Sequence, residues 1–505
     1  MTMAFSTSDN ANLSSLLSGL VPSNNITEAY ISSLQLDSRN VTPGSLFFGK
    51  NGAQTSGRHF VNDAIEKGAS AIVIESESNS FELIDQVPVY EVNEIKSVLG
   101  TIASRFYDFP SAKIDLTGIT GTNGKTSVVY FLNQAISICL NKPVGIIGTL
   151  GYGTANNLSP AINTTPDIIT LNALLNDFYS RGIEEVVMEV SSHGIDQGRV
   201  NNIEIDTAVF TNLSQDHLDY HKDMDAYGKA KQELFYLSSI KNAVINVGDD
   251  FGLQISSDLP ENINLIRYKV LEHDVDINAQ DSELYAVIKH HDIYSISMEI
   301  FSEWGNEQLT VNLVGDYNAE NILACLGVLC IKNIPFTDAL EALSKVKAVP
   351  GRMELFCAPT SPKIFIDYAH TPDALEKSLS TLRKLGCRRL VCVFGCGGDR
   401  DKEKRPLMGK IAEKYCDGIF LTSDNSRNES AKEIIEDIQS GMSGVVACEV
   451  ELDRTLAIQE AIDTYGSDDF ILVAGKGHET YQETNGVKVP FCDRQLVINL
   501  LESLW

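Results

Sequence analysis

The stretch GITGTNGKT, residues 118–126, joins an apolar strand pattern, KIDLTGIT at 113–120, to a long helical pattern. Read as strand, glycine turn and helix, it suits phosphate. Glycines let backbone N–H groups turn inward around phosphate oxygens, Lys125 supplies a point charge, and the Thr126 hydroxyl suits a Mg²⁺ ion. Gly121, Thr122, Asn123, Gly124, Lys125, Thr126 and Ser127 are the expected ATP contacts. The loop is a variant, because the strict eight-residue phosphate-loop pattern needs glycine at 119, where Ile119 stands, with Gly118 one position earlier. A bare strand-to-helix turn would need Gly121 and Gly124 but not Lys125 and Thr126. ATP binding is favoured, with kinase, ATPase and ligase all open.

Outward from the loop, β-α pairs continue through VGIIG (144–148), EEVVMEV (184–190), TAVFTNL (207–213) and NAVINV (242–247). That alternation predicts a mainly parallel sheet with crossover helices. Upstream, short strands (SLFFG 45–49, SAIVIE 70–75, PVYEV 88–92) alternate with helical stretches at 60–67 and 94–106, a small α/β unit. Residues 260–315 are strand-rich and polar, and GDYNAENILACLGVLC then starts a helix. The turn-forming pair Pro350 and Gly351 marks a boundary. Beyond it, KIFIDYAH (363–370), RLVCVFGCGGDRD (389–401), GIFLTSDNSR (418–427) and FILVAGKGHE (470–479) are strands ending in polar clusters. Ligands bind at the carboxyl ends of strands in open parallel sheets, so these clusters are expected to share one crevice. The fold class is α/β in three domains, 1–112, 113–350 and 351–505.

Three domains also follow from length, since 505 residues exceed a single core at roughly 150 residues per domain. Hydrophobic content of 43% with 21% charged residues argues against extended disorder. A net charge of -28 repels phosphodiesters and anionic lipid, so neither nucleic acid nor a membrane surface is the expected partner. Anionic substrates would need local cations. The ten cysteines lack a paired CxxC framework and read as reduced thiols, with Cys392 and Cys396 as core strand residues. The first 21 residues hold no Lys or Arg, and no apolar run approaches the ~20 residues of a membrane span. A cytoplasmic location is expected.

MEVSSHGIDQGR (188–199) and NLSQDHLDYH (212–221) follow strands at their carboxyl ends and offer Glu189, Asp216 and His217 as ligands suited to Mg²⁺. His193 and His221 could equally cap a helix or satisfy a loop. These motifs, with GTNGKT, NTTP (163–166), GDYNAEN (315–321), GRME (351–354), DYAHTPDALEK (367–377), FGCGGDRDKEKRPLMG (394–409) and AGKGHE (474–479), occur in one order. The succession resembles the MurE branch of the Mur ligase family, the UDP-N-acetylmuramoyl-tripeptide synthetases, and spans all three expected domains.

The resemblance implies a central ATP-binding domain of phosphate-loop type, an N-terminal UDP-sugar-binding domain, and a Rossmann-like C-terminal domain that brings the amino acid. It implies an ATP-dependent ligase acting through an acyl phosphate in peptidoglycan precursor synthesis, with Mg²⁺ as cofactor, working as a monomer. By similarity, Lys125, His217 and Lys231 are catalytic, and Thr126, Glu189, His217 and Lys231 hold metal, Lys231 as a carbamate. Read alone, Lys231 in YGKAKQELF is a solvated helix lysine. Asn318, Arg352, Asp367 and His370 match nucleotide contacts, although Asp367 could cap a helix and Arg352 could be a surface charge. For the UDP-sugar dipeptide the matching positions are Leu36, Ser38, Gln54 and Thr55, then Asn163, Thr164, Thr165, Ser191, Gln197 and Arg199.

The amino-acid pocket is expected from Arg400, Asp424, Asn425, Ser426, Arg427, Gly475 and Glu479. Members that add meso-diaminopimelate show DNPR, whose arginine grips the distal carboxylate, and this chain keeps Arg427 in DNSR. Ser426 replaces the usual proline, so a looser loop is expected. The alternatives are a lysine-adding homologue, a folylpolyglutamate-synthase-like ligase, and a nucleotide-gated protein without ligation.

Overall fold

The computed structural model describes residues 11–22, 26–52, 55–155, 157–272 and 283–502. The chain forms two compact units, Met1–Arg267 and Tyr268–Trp505.

In the first unit, strands Ser33–Gln35, Ser45–Gly49, Ala71–Glu75 and Val87–Val92 run parallel, and Ser80–Ile84 closes one edge antiparallel. Helix Ile95–Phe106 buries Val98, Leu99 and Ile102 in the same core as Val73 and Tyr90. The second sheet carries five parallel strands in the order Val144–Gly148, Glu185–Glu189, Asp115–Thr120, Thr207–Phe210, Asn242–Asn246. All five are apolar runs buried on both faces, as a parallel sheet under crossover helices requires. Register decides where chemistry can happen. Glu189 lies opposite Ile119 and Phe210 opposite Thr120, so three strands end at one level. The TAVFTNL pattern stops being strand at Phe210, because Thr211 and the residues after it bond the phosphate loop instead.

The second unit starts with an antiparallel meander, Glu283–His291, Ile296–Ser302 and Gly305–Val311, packed by helices Tyr317–Ile331 and Phe336–Ser344. A six-stranded sheet follows in the order Glu354–Phe356, Lys363–Asp367, Phe470–Ala474, Leu390–Phe394, Gly418–Leu421, Ala447–Val450. All its pairings are parallel except the first. The last-formed of these strands in chain order, Phe470–Ala474, inserts between two earlier ones. That places the reversal of strand order beside Asp367, Phe394 and Ala474, where such sheets open a crevice. Apolar clusters cover both faces, and Cys392 and Cys396 lie in one of them, as core residues. All ten cysteines are free thiols. No described helix is long and apolar enough to cross a membrane.

Pro350 and Gly351 form a tight turn, in which Gly351 takes φ +68° and a Cβ would sit 2.2 Å from the Gly477 carbonyl carbon. The short ribbons Gly151–Thr154 with Asn157–Ser159, and Tyr481–Thr484 with Val487–Pro490, are glycine-containing or polar, and periodicity does not mark them.

Arg454 and Asp493, both with fully enclosed side chains, pair at 2.8 Å, and Arg454 Nη2 also donates to the Ala474 carbonyl. Removing one partner strands a buried charge, which costs about 3–5 kcal/mol. Asp493→Asn is therefore expected to lower the urea midpoint of the second unit by that equivalent. An unchanged midpoint would show that the pair contributes nothing.

Candidate active site

In the first unit, Gly121 has φ +144°, and a Cβ there would lie 1.9 Å from Thr211 Oγ1. Only glycine lets the loop approach the 211–214 segment so closely. That segment clasps it: the Thr122 N–H donates to Asn212 O (2.8 Å), the Asn123 N–H to Asn212 Oδ1 (3.0 Å), and the Thr211 hydroxyl to Asn123 O (2.6 Å). Gly124, at φ +87°, opens helix Lys125–Leu140, whose first-turn N–H groups and positive dipole end face the loop. Lys125 Nζ folds onto the loop carbonyls of Gly121 (2.7 Å) and Thr122 (2.9 Å).

Glu189 is 1% exposed at the end of its strand. The Thr126 hydroxyl lies 3.0 Å from both its oxygens, and Thr149 adds its backbone N–H (2.7 Å) and its hydroxyl (3.2 Å). Gly148 clears the space, since a Cβ there would meet Glu189 Oε1 at 2.5 Å. The hydroxyl and carboxylate oxygens are a hard donor set that would fit Mg²⁺. Among the described residues no three His, Cys, Asp or Glu side chains converge as a metal cage.

Lys231 is not the solvated lysine its sequence setting suggests. It is 1% exposed, donates to the Gly121 carbonyl at 2.9 Å, and lies 4.2 Å from the Tyr227 ring centroid. Burial pushes its pKa well below the lysine range, and the nearby Lys125 charge acts in the same direction. His217 adopts φ +54° and stands in an aromatic group with His193 (4.7 Å) and Tyr227 (6.1 Å), its ring 3.5 Å from the Asp216 carboxylate. His221 is buried, its Nε2 3.0 Å from Ser192 Oγ.

The second-domain set expected for the UDP-sugar dipeptide is one bonded network. The Thr165 hydroxyl reaches the Glu189 carbonyl (2.9 Å) and Ser191 Oγ (3.1 Å). Arg199 donates to the Thr165 carbonyl at 2.6 Å and grips Gln197 Oε1 with Nε and Nη2. Thr164 lies 3.2 Å from Thr149 Oγ1, and Asn163 bonds the Tyr152 hydroxyl. Of the first-domain set, Ser38 is buried at a turn capped by Asp37, Leu36 packs on the core, and the Thr55 carbonyl accepts from Gly52. Gln54 lies outside the described residues. Thr149, Tyr152 and Lys50 were missed. Thr149 follows VGIIG, where the strand-end rule applied to the other strands would have found it. Lys50 follows strand Ser45–Gly49, and its pKa falls through burial first, with Lys96 and Arg199 adding repulsion.

In the second unit, Asp367 is not a helix cap, because Thr371 caps helix Pro372–Lys384. Asp367 instead receives the Ser378 hydroxyl (2.5 Å) and the N–H groups of Tyr368 (2.8 Å) and Met353 (3.3 Å), and burial raises its pKa. Nor is Arg352 a free surface charge. Its guanidinium lies 4.5 Å from the Tyr368 ring centroid, and its buried Nε has no partner among the described residues. His370 Nδ1 bonds the Tyr368 carbonyl at 2.8 Å. Asn318 braces its own helix entry, donating to Val314 O (2.8 Å) and lying 3.0 Å from Asn321 Nδ2. His478, also missed, is held neutral, its pKa pushed to about 4 by burial and then by Arg352.

The polar clusters do meet at one end of this sheet. A Cβ on Gly475 would lie 2.7 Å from Asp424 Oδ2, and one on Gly397 would lie 2.9 Å from Arg427 Nη1 and 3.8 Å from Arg400 Cγ. Asn425 Nδ2 donates to Glu479 Oε2 at 2.8 Å. Arg427 takes φ +49° and donates from Nη1 to the Gly398 carbonyl at 2.7 Å. The expected looseness at Ser426 is not what the fold provides. The backbone N–H of Arg427 donates to Glu483 O (3.1 Å), Asn485 donates to Arg427 O (2.6 Å), and the Ser426 hydroxyl lies 3.3 Å from Thr484 Oγ1. The hairpin constrains the loop where a proline ring is lacking.

Comparison with known proteins matches three family models in the same order: Mur ligase family, catalytic domain (30–107); Mur ligase middle domain (119–329); and Mur ligase, glutamate ligase domain (351–477). The chain is 42% identical over 467 residues to the UDP-N-acetylmuramoyl-L-alanyl-D-glutamate--2,6-diaminopimelate ligase of Chromobacterium violaceum, covering 92% of each. It is 42% identical over 466 residues to the Coxiella burnetii protein of the same name, covering 92% of this chain and 94% of the other. A solved structure under that name superposes with TM-score 0.69 at 30% identity, over 98% of this chain and 99% of that one. The ADP complex of MurF from Thermotoga maritima shares the fold, with TM-score 0.58 at 18% identity over 93% of this chain and 97% of that one. With three family models matched in order along the chain and both relatives aligned over nine-tenths of their length, the chain belongs to the Mur ligase family.

Proposed function

We propose that the chain is an ATP-dependent ligase that joins meso-diaminopimelate to UDP-N-acetylmuramoyl-L-alanyl-D-glutamate. The observation that carries the amino-acid assignment is the pocket at the end of the six-stranded sheet. There Arg427 and Arg400 border Gly397, and Asp424 and Glu479 stand on the neighbouring loops. Cations for a distal carboxylate and carboxylates for ammonium groups match a diamino diacid. The relatives' names support the same substrate.

The chemical problem is to bring a carboxylate onto a γ-phosphate, two anions that repel. The glycine loop and the N-terminus of helix Lys125–Leu140 hold the triphosphate tail, and Lys125 leaves its carbonyl contacts to neutralise it. Thr126 and Glu189 would hold Mg²⁺, which, when bound, screens the repulsion between the two anions. Arg199 and the Thr165 network fix the UDP-sugar dipeptide, placing its terminal carboxylate in line. Transfer gives an acyl phosphate and ADP. The amine then attacks the acyl carbon, phosphate leaves, and the amine proton passes to solvent.

Lys231 extends this reading. An ammonium does not ligate a cation, but a buried neutral amine adds to carbon dioxide, forming an N–C bond and releasing one proton. The carbamate oxygens then serve beside the phosphate loop. The domains of this enzyme are taken as 1–112 for the UDP-sugar, 113–350 for ATP and 351–505 for the amino acid. It is taken as a cytoplasmic monomer working in cell-wall precursor synthesis.

Purified protein with ATP, Mg²⁺ and the UDP dipeptide should release phosphate with meso-diaminopimelate far faster than with lysine. Equal rates would sink the substrate assignment. Arg427→Ala removes a charged hydrogen bond worth about 1.5–3 kcal/mol, so the KM for meso-diaminopimelate should rise roughly 10- to 100-fold. The KM for ATP should stay within about twofold. For Lys231, stripping carbon dioxide and bicarbonate should lower turnover, and added bicarbonate should restore it. Indifference of the wild type to bicarbonate would remove the carbamate from the mechanism.

A further inference from the structure

Lys476 lies in AGKGHE, one residue past the glycine that clears room for Asp424, and its side chain is fully enclosed. An enclosed ammonium persists only where its donors are met. Nζ donates to Asn425 Oδ1 at 3.1 Å and to Glu479 Oε2 at 2.9 Å, and the Tyr481 ring centroid lies 5.7 Å away. Both polar partners line the proposed amino-acid pocket.

We propose that Lys476 is a positioning residue for the incoming amino acid, fixing Asn425 and Glu479 in the single arrangement that reads it. This rests on the pocket assignment above and adds a residue to it. Asn425 Oδ1 accepts from Lys476 and from the Glu483 N–H at 3.0 Å, so both its lone pairs are used. Turning the amide over would press its NH₂ against the ammonium and the Glu483 N–H, so Lys476 together with that N–H sets which way the carboxamide faces. One Nδ2 hydrogen goes to Glu479 Oε2, and the second has no partner among the described residues. Glu479 Oε2 takes two donors, while Oε1 has none among the described residues. What remains is one N–H donor beside one carboxylate acceptor. That pair complements a carboxylate next to an ammonium, the two groups of an α-amino-acid centre. Without Lys476 the amide keeps only the Glu483 N–H on Oδ1 and Glu479 loses its charged donor, so the carboxylate can swing and the pair loosens.

The test is steady-state kinetics on the full chain with each of the three substrates varied in turn. Lys476→Met should raise the KM for the amino acid at least tenfold and leave the KM for ATP and for the UDP dipeptide within twofold. In an Asn425→Ala, Glu479→Gln background the same substitution should add less than twofold, because its targets are gone. Lys476→Gln, which keeps a donor for Asn425 Oδ1, should show the same split at smaller size, and it serves if the Met variant does not fold. An equal rise in all three KM values, or a full additive effect in the double-substituted background, would mean a structural lysine and overturn the proposal. If the wild type ligates lysine instead, the substrate assignment falls while the split is still read with lysine. If it ligates no amino acid, both fall.

Discussion

A carboxylate taken out of water at the end of a β-strand has to be met by donors, and what meets Glu189 organises the first unit. An unpaired buried charge is costed at several kcal/mol. Thr126 answers it from the phosphate-loop helix, Thr149 from the end of the adjacent strand, and Gly148 makes the room. Through its backbone carbonyl the same residue holds Thr165, which holds Ser191, while the Thr165 carbonyl takes Arg199. The phosphate loop, the proposed metal ligands and the residues proposed for the sugar dipeptide are thus coupled through one side chain and its own peptide. A change at Glu189 cannot be confined to one of these roles.

The second unit solves a different problem with the same economy. Its pocket carries carboxylates at the mouth of a parallel sheet, and enclosed cations behind it hold the loops that form it. Arg405, with no side-chain exposure, ties Glu429 and Asp437 and reaches the Gly397 carbonyl. Glu429, its pKa pulled down to about 2 chiefly by Arg405 and then Lys402, also takes the Asp399 N–H, so the loop preceding Arg400 is anchored through it. Arg454 does likewise for the end of strand Phe470–Ala474. Glycines at 395, 397 and 475 bring backbones within contact of the 422–427 segment, which larger residues would push apart. Ion pairs behind the loops and glycines within them hold this end of the sheet together.

Much of this was legible in the sequence because it is written in local patterns. Doubly buried parallel strands are continuous apolar runs, and the polar residues after them have to stand at the sheet's carboxyl edge, so FTNLSQD and LTSDNSR announce both a strand and a site. What escaped was set by tertiary placement. Nothing adjacent to Lys231 or Lys476 says that it is enclosed, since burial depends on the phosphate loop in one case and on the hairpin 481–490 in the other. Asp367 looked able to cap a helix because its true donors, Ser378 and Met353, are brought in by the fold. Ser426 looked like lost rigidity because a φ constraint is visible in sequence, whereas a cross-bonded hairpin is not. The antiparallel ribbons were missed because glycine and short polar strands carry no period.

The global charge sharpens the point. At net -28 the chain repels the anions it has to gather, and with a screening length of about 8 Å at physiological salt the surface charges matter only nearby. Local cations in partly enclosed ground then decide binding. Lys125 and Lys231 meet at the Gly121 carbonyl, and Lys50 is felt by Arg199. The first two share one acceptor oxygen, and the lowered pKa of Lys231 answers the cost of holding two ammonium groups there. Burial and the Lys125 charge both disfavour a proton on Lys231, which leaves Lys125 as the cation of the phosphate loop. Lys125 opens the helix that follows the glycine turn, where backbone N–H groups add to the positive field, an arrangement suited to a multiply charged phosphate.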